Sequence, residues 1–117
     1  MKTIIINHMK NISNEKEFLF SIQCSNCHKE WKSVPIHFSK AYEKPLTNAK
    51  KIVYQALFQQ ELESAANKAV KDAQKQFNYC PICKSLVCNS CFMICEDIDM
   101  CIDCAKELQE NGEIVES

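Results

Sequence analysis

Arginine is absent from this chain: all 14 basic residues among its 117 are lysine. Without guanidinium groups there is no bidentate fork for guanine edges or phosphates, so sequence-reading nucleic-acid chemistry loses its commonest tool. Glycine occurs once, at Gly112, and proline three times, at Pro35, Pro45 and Pro81. Long flexible linkers are thereby excluded, and nothing between Leu46 and Cys80 interrupts regular backbone. No stretch approaches the ~20 apolar residues that a membrane-spanning helix requires. The N-terminal apolar run, Thr3-Ile4-Ile5-Ile6, ends at Asn7 and His8 and is too short for a signal-peptide core. A cytoplasmic location is therefore expected, with thiols kept reduced.

Cysteine is abundant, with nine residues. Eight fall into Cys-x-x-Cys pairs: Cys24/Cys27, Cys80/Cys83, Cys88/Cys91 and Cys101/Cys104. A two-residue gap aims both sulfurs of a tight turn at one ion. Zn²⁺ takes four such donors in a tetrahedron at ~2.3 Å. Four pairs therefore predict two closed Cys₄ sites and two zinc ions per chain, with metal binding forming part of the folding free energy. Disulfides fit poorly with an odd count and a reducing compartment. Two pairings satisfy the spacing. In the sequential one, Cys24/Cys27 join Cys80/Cys83, and Cys88/Cys91 join Cys101/Cys104. In the interleaved one, Cys24/Cys27 join Cys88/Cys91, and Cys80/Cys83 join Cys101/Cys104.

The formal net charge of −1 conceals a division. Residues 1–95 carry 13 lysines against 7 acids, whereas residues 96–117 carry 8 acids against Lys106 alone. Along the chain, residues 1–17 read as a loose arm or short edge strand. Phe18, Phe20 and Ile22 alternate with Leu19, Ser21 and Gln23 as in a strand, leading into a zinc knuckle at Cys24–Cys27. Trp31, Val34, Ile36 and Phe38 predict a second strand, held to an edge by Pro35. Residues 18–46 thus form knuckle and strands. From Thr47 to Phe77 the chain has no glycine or proline, and Ala49, Ile52, Val53, Ala56, Phe58, Leu62, Ala65, Ala69, Ala73 and Phe77 recur at helical spacing. One long amphipathic helix over 47–77 follows, capped by Thr47. Its apolar stripe packs on the strands or forms a homodimer seam. Residues 78–112 are the cysteine-rich module, with a short helix at 105–110 stopped by Asn111-Gly112, and 113–117 a frayed tail.

The run Cys80-x₂-Cys83-x₄-Cys88-x₂-Cys91, closed by Cys101-x₂-Cys104, resembles the cross-braced treble-clef fingers of the FYVE and RING type. The ending Cys80-Pro81-x-Cys83, Val87-Cys88-x₂-Cys91-Phe92 and Cys101-x₂-Cys104-Ala105 looks like small bacterial zinc-ribbon proteins of unassigned function. The resemblance implies a small zinc-stabilised α+β fold in a single domain, a treble-clef-like double zinc module at its C-terminal end, and the interleaved pairing.

A catalytic zinc keeps an open position, usually beside His or a carboxylate. Four complete cysteine pairs leave none, so no enzyme is expected, and the ligand set reads as structural. Rubredoxin-like iron is the metal alternative. Cys24-Ser25-Asn26-Cys27-His28 also fits the C-x-x-C-H of c-type haem attachment, but that requires export and strands three pairs. Cys95 is unpaired by spacing, and the neighbouring Glu96, Asp97 and Asp99 disfavour its thiolate. The expected role is a protein-interaction or adaptor module. The alternatives are a nucleic-acid-binding zinc ribbon using Lys40, Lys44, Lys50, Lys51, Lys68, Lys71 and Lys75, and a redox or metal-responsive protein using Cys95.

Overall fold

Thr47 starts the longest element. Its backbone is extended and its side chain accepts a hydrogen bond from the Lys50 amide at 3.1 Å, which satisfies one orphan donor of the first turn. The helix α2 then runs Asn48–Gln74, 27 residues, or ~40 Å at 1.5 Å per residue. The structure is a computed structural model describing residues 1–115. It measures 65 × 19 × 16 Å with a radius of gyration of 18.5 Å. A compact chain of this length would give ~13 Å, so α2 makes the molecule a rod.

The strands are short and antiparallel throughout. β1 (Lys10–Asn11), β3 (Phe20–Gln23) and β4 (Glu30–Lys32) form one sheet in the order β1-β3-β4, while β2 (Glu17–Phe18) pairs with β5 (Ile36–His37). The expected strand through Phe18, Phe20 and Ile22 is therefore divided at Leu19, but all three side chains are buried. Ser33 stitches the break: its hydroxyl accepts from the Phe20 amide at 2.9 Å, and its own amide donates to the Phe20 carbonyl at 2.9 Å. Phe18, Phe38 and Phe58 meet at centroid separations of 5.1–6.0 Å, with Tyr54 edge-on to Phe38 at 5.2 Å. Ala65 and Ala69 of α2 close that cluster.

Past Gln74 the chain turns directly into β6 (Phe77–Tyr79), which pairs with β7 (Leu86–Cys88) in register Phe77↔Cys88. The helix expected over 47–77 thus ends three residues early, because the Phe77 backbone is taken by the sheet. A 3₁₀ turn (Asn89–Cys91) leads to β8 (Phe92–Cys95). β9 (Met100–Cys101), α3 (Ile102–Glu107) and β10 (Gly112–Ile114) complete the chain, with sheet order β10-β8-β9.

Both ends depart from expectation. The region 1–17, read as a loose arm or edge strand, begins with a helix α1 (Lys2–His8) whose Ile5 is fully buried. α1 packs against α2 and β7, and tertiary burial overrides the strand preference of three successive isoleucines. Within the expected tail of 113–117, Glu113 and Ile114 pair with Ile94 and Met93; Glu116 and Ser117 lie outside the described residues. The short helix does not stop at Gly112. It closes at Gln109, in the left-handed region at φ 56°, with Glu110 N–H donating to Ala105 O at 2.8 Å and Gln109 N–H to Lys106 O at 3.3 Å.

Gly112 has a different reason to be there. A Cβ at that position would stand 2.3 Å from the carbonyl oxygen of Ile94. Gly112→Ala is expected to push β10 off β8 and cost about 1–3 kcal/mol; a melting temperature equal to wild type would show that the strand does not close this tightly.

Candidate metal centres

The eight paired cysteines come together in two groups, Cys24/Cys27/Cys88/Cys91 and Cys80/Cys83/Cys101/Cys104, the sulfurs of each lying within 4.8 Å of one another. Of the two pairings the spacing allows, the structure has the interleaved one. Sulfur separations across the pairs are 3.7 Å for Cys27–Cys88, 3.8 Å for Cys80–Cys104 and 3.7 Å for Cys83–Cys101. A disulfide would need ~2.05 Å. A regular tetrahedron with metal–sulfur bonds of ~2.3 Å has edges of ~3.8 Å, so the donor set fits a thiolate-bound ion.

Two turns of the same build supply the first pair of each group. Cys24 N–H donates to Lys29 O at 3.0 Å and His28 N–H returns to Cys24 O at 3.1 Å. Cys80 N–H donates to Ser85 O at 2.8 Å and Lys84 N–H returns to Cys80 O at 2.9 Å. His28 and Lys84 stand at φ 63° and 62°, a left-handed position normally given to glycine. The β3–β4 hairpin carries the first turn and the β6–β7 hairpin the second. The other pair of each group opens a helical turn: Cys88 precedes the 3₁₀ turn, and Cys101 caps α3 with its sulfur accepting from Cys104 N–H at 3.5 Å.

These placements also set the charge on sulfur. Burial pushes the Cys24 thiol up, but amide donors from Cys88, Cys27 and Asn26, at 3.3–3.5 Å, outweigh it and bring it down to about 7. Cys80 follows the same balance, burial being overcome by the amides of Cys101, Cys83 and Ile82, and falls to about 6. Burial, together with the thiol of Cys88, raises Cys91 to about 12. Burial and Cys101 raise Cys104 as well. Cys27 and Cys101 are raised too, so each group has one thiol shifted toward the thiolate and two that hold their protons more tightly. Hydroxyls stand beside two of the remaining sulfurs, Ser85 Oγ 2.9 Å from Cys83 and Ser90 Oγ 3.1 Å from Cys88.

Asn89 went unnoticed in the sequence, where it is one of the two residues inside Cys88-x-x-Cys91. It is buried, and its Nδ2 donates to Lys75 O at 2.9 Å while its Oδ1 accepts from Asn78 Nδ2 at 2.7 Å. Its backbone N–H donates to Gln76 O at 3.1 Å. The C-terminal end of α2 is thereby bolted to the first cysteine group. Cys95 stays outside both groups, half-buried on β8. Burial and the carboxylates of Glu110 and Asp99 push its thiol up. His8, His28 and His37 join neither group.

No family model, curated protein or solved structure matches the chain. Fold and site define its class: a small mixed α+β protein with two four-cysteine groups able to hold metal. Among the described residues no helix is long and apolar enough to cross a membrane.

Two expectations follow. Metal uptake at pH 7 should release protons, from Cys91 and Cys104 at least, because both thiols are neutral there. Affinity should accordingly fall as pH is lowered. Calorimetric titration in buffers of different ionisation enthalpy reads this as a sloping apparent enthalpy, and a slope of zero would contradict it. Asn89→Ala should cost about 1–3 kcal/mol by leaving Asn78 and the Lys75 carbonyl without partners, measured by denaturant unfolding of the metal-loaded protein.

Proposed function

We propose that the chain is a non-enzymatic zinc protein in which two structural Cys₄ ions cross-brace a treble-clef-like module, and that this module works in the cytoplasm as a protein-interaction adaptor. The observation that carries the reading is the two four-sulfur groups, each with all sulfurs within 4.8 Å and with cross-pair separations of 3.7–3.8 Å, close to the ~3.8 Å edge of a zinc–thiolate tetrahedron. Every tetrahedral position is filled by a cysteine, so a bound ion has no vacancy for water or substrate. Zinc suits such a site because it is redox-inert, accepts thiolate and tolerates whatever tetrahedron the backbone sets. The cysteine turns supply two ligands each as zinc knuckles do, and α3 opening on Cys101 and Cys104 is the third part of a treble clef. With the metals committed to holding backbone together, what remains to act is surface. Much of it is apolar: Tyr42, Leu46, Ile52 and Val53 are 85, 84, 69 and 58 % exposed. Patches of that kind mark contact sites for other macromolecules.

Native mass spectrometry should show two zinc ions per chain, removed by acid or strong chelator with loss of fold. A fully folded, metal-free protein would end this reading. Serine at any of Cys24, Cys27, Cys80, Cys83, Cys88, Cys91, Cys101 or Cys104 should lower zinc content and solubility. Cys95→Ser should keep both ions at a cost of about 1 kcal/mol, and loss of an ion from it would place Cys95 among the ligands. A salt titration of binding to arbitrary DNA should give no appreciable log–log slope, whereas a slope of several units would favour a nucleic-acid ribbon.

A further inference from the structure

The N-terminal half of α2 carries an apolar face that the monomer leaves without a neighbour. Ala49, Ile52, Val53 and Ala56 are all exposed and recur at i, i+3, i+4 and i+7, the spacing of a helix face that packs. Tyr42 and Leu46, on the segment leading into the helix, are the two most exposed large apolar side chains described. A cleft of about 540 Å³ lies between that segment and the helix, lined by Pro45, Ala49, Val53, Tyr54 and Leu57 together with Lys40, Lys44, Lys50 and Glu43. Lys44, Lys50 and Lys51 make no ion pair among the described residues; only Lys40 is engaged, 3.5 Å from Glu43. The tip is basic and apolar together.

The opposite end of the molecule has the complementary chemistry. Val70 and Ala73, in the last turns of α2, share a core with the buried cysteines, so the cysteine module sits ~30–40 Å along the helix from this tip. On that module, Ile94 on β8 and Ile98 in the turn to β9 are exposed, 53 and 49 % accessible, either side of Glu96 and Asp97 in sequence. These two acids also make no ion pair among the described residues. Glu113 of β10, in register with Ile94 of β8, adds an exposed acid on the neighbouring strand.

We propose that the lysine tip of α2 docks onto the acidic β8–β9 turn of a second copy of this chain, so that two rods lie antiparallel about a two-fold axis; the idea rests on the reading of the chain as an interaction module and names its partner. Ile94 and Ile98 of one copy provide the apolar side chains for the cleft between Pro45 and Leu57 of the other. Lys44, Lys50 and Lys51 meet Glu96, Asp97 and Glu113. An antiparallel pair makes this contact twice and leaves neither patch over, the closed arrangement that a two-fold axis allows. The second contact forms at the high local concentration that the first creates. Because the patches are small and their charges exposed, the dimer is weak, fast and sensitive to salt.

Sedimentation velocity over a protein concentration series tests this directly. Wild type should associate at about 10 mM salt, where the Debye length is ~30 Å, and dissociate at about 1 M, where it is ~3 Å. The tip variant Lys44→Glu/Lys50→Glu/Lys51→Glu should self-associate about tenfold more weakly or worse, and so should the turn variant Glu96→Lys/Asp97→Lys. Mixing the two variants should restore a dimer, since each then offers the charge that the other needs. A wild type that stays monomeric at low salt overturns the proposal, and so does a mixture that fails to pair. Binding of the wild-type tip to phosphatidylserine vesicles without self-association would overturn it too, making the occupant a lipid surface. Zinc content measured on the same samples separates the two ideas. Two ions in a strictly monomeric protein would refute the dimer and leave the zinc-module reading standing, while a dimer without zinc would do the reverse.

Discussion

Four sulfurs held within 4.8 Å of one another cannot all be thiolates unless a cation sits among them. That constraint governs the cysteine end of the molecule. The buried core there includes five of the eight cysteines, Cys24, Cys80, Cys91, Cys101 and Cys104, packed with Ile5, Ile22, Phe77, Leu86 and Val87. Apolar packing and metal coordination are therefore one structure. The first group also joins segments 61 residues apart, Cys27 to Cys88, so a bound ion would close the excursion that carries α2. The aromatic cluster joins that loop to the strands before it, with Phe38 and Phe58 inside the loop packed on Phe18 and Phe20 outside it.

Interleaving follows from how the two hairpins sit. Ser25 N–H donates to Leu86 O at 3.0 Å and Cys88 N–H donates to Cys24 Sγ at 3.3 Å. The first cysteine turn is therefore laid across the strand that ends in Cys88. With β7 running from Leu86 to Cys88, the second turn at Cys80–Cys83 is carried to the far end of that strand, where Cys101 and Cys104 meet it. A sequential pairing would need Cys24 and Cys80 at one centre, and β6–β7 holds them a strand apart.

Much of this could be read from residue spacing, and the remainder shows where spacing stops. Cys-x-x-Cys fixes which sulfurs share a turn, because two residues admit only a tight one. It does not fix which turns share an ion, because that depends on strand direction. The helix was legible from Thr47 to Ala73, but Phe77 keeps helical period with Ala73 and also starts a strand opposite Cys88; only the tertiary pairing decides between them. Three isoleucines near the N-terminus favour an extended backbone locally, yet Ile5 gains enough by burial against α2 and β7 to form α1. The lone glycine looked like a helix stop and is instead a close approach to the Ile94 carbonyl.

The distal half of α2 breaks local rules that the proximal half keeps. Its first turn has no acidic residue, and Lys50 and Lys51 stand where the helix N-terminus is already positive. Ile52 and Val53, β-branched and exposed, give up side-chain entropy without being buried. Thr47 supplies a single cap against these costs. Elsewhere the same helix is economical, presenting Ala65, Ala69 and Ala73 to its neighbours and Lys68 to Asp72 on its surface. Violations confined to one end of an element, where apolar area and uncompensated positive charge coincide, mark the place where a sequence serves something other than its own stability. A helix packed against the cysteine core at one end and the aromatic cluster along its middle can carry such a tip beyond both, because the stability of those cores does not depend on the tip being covered.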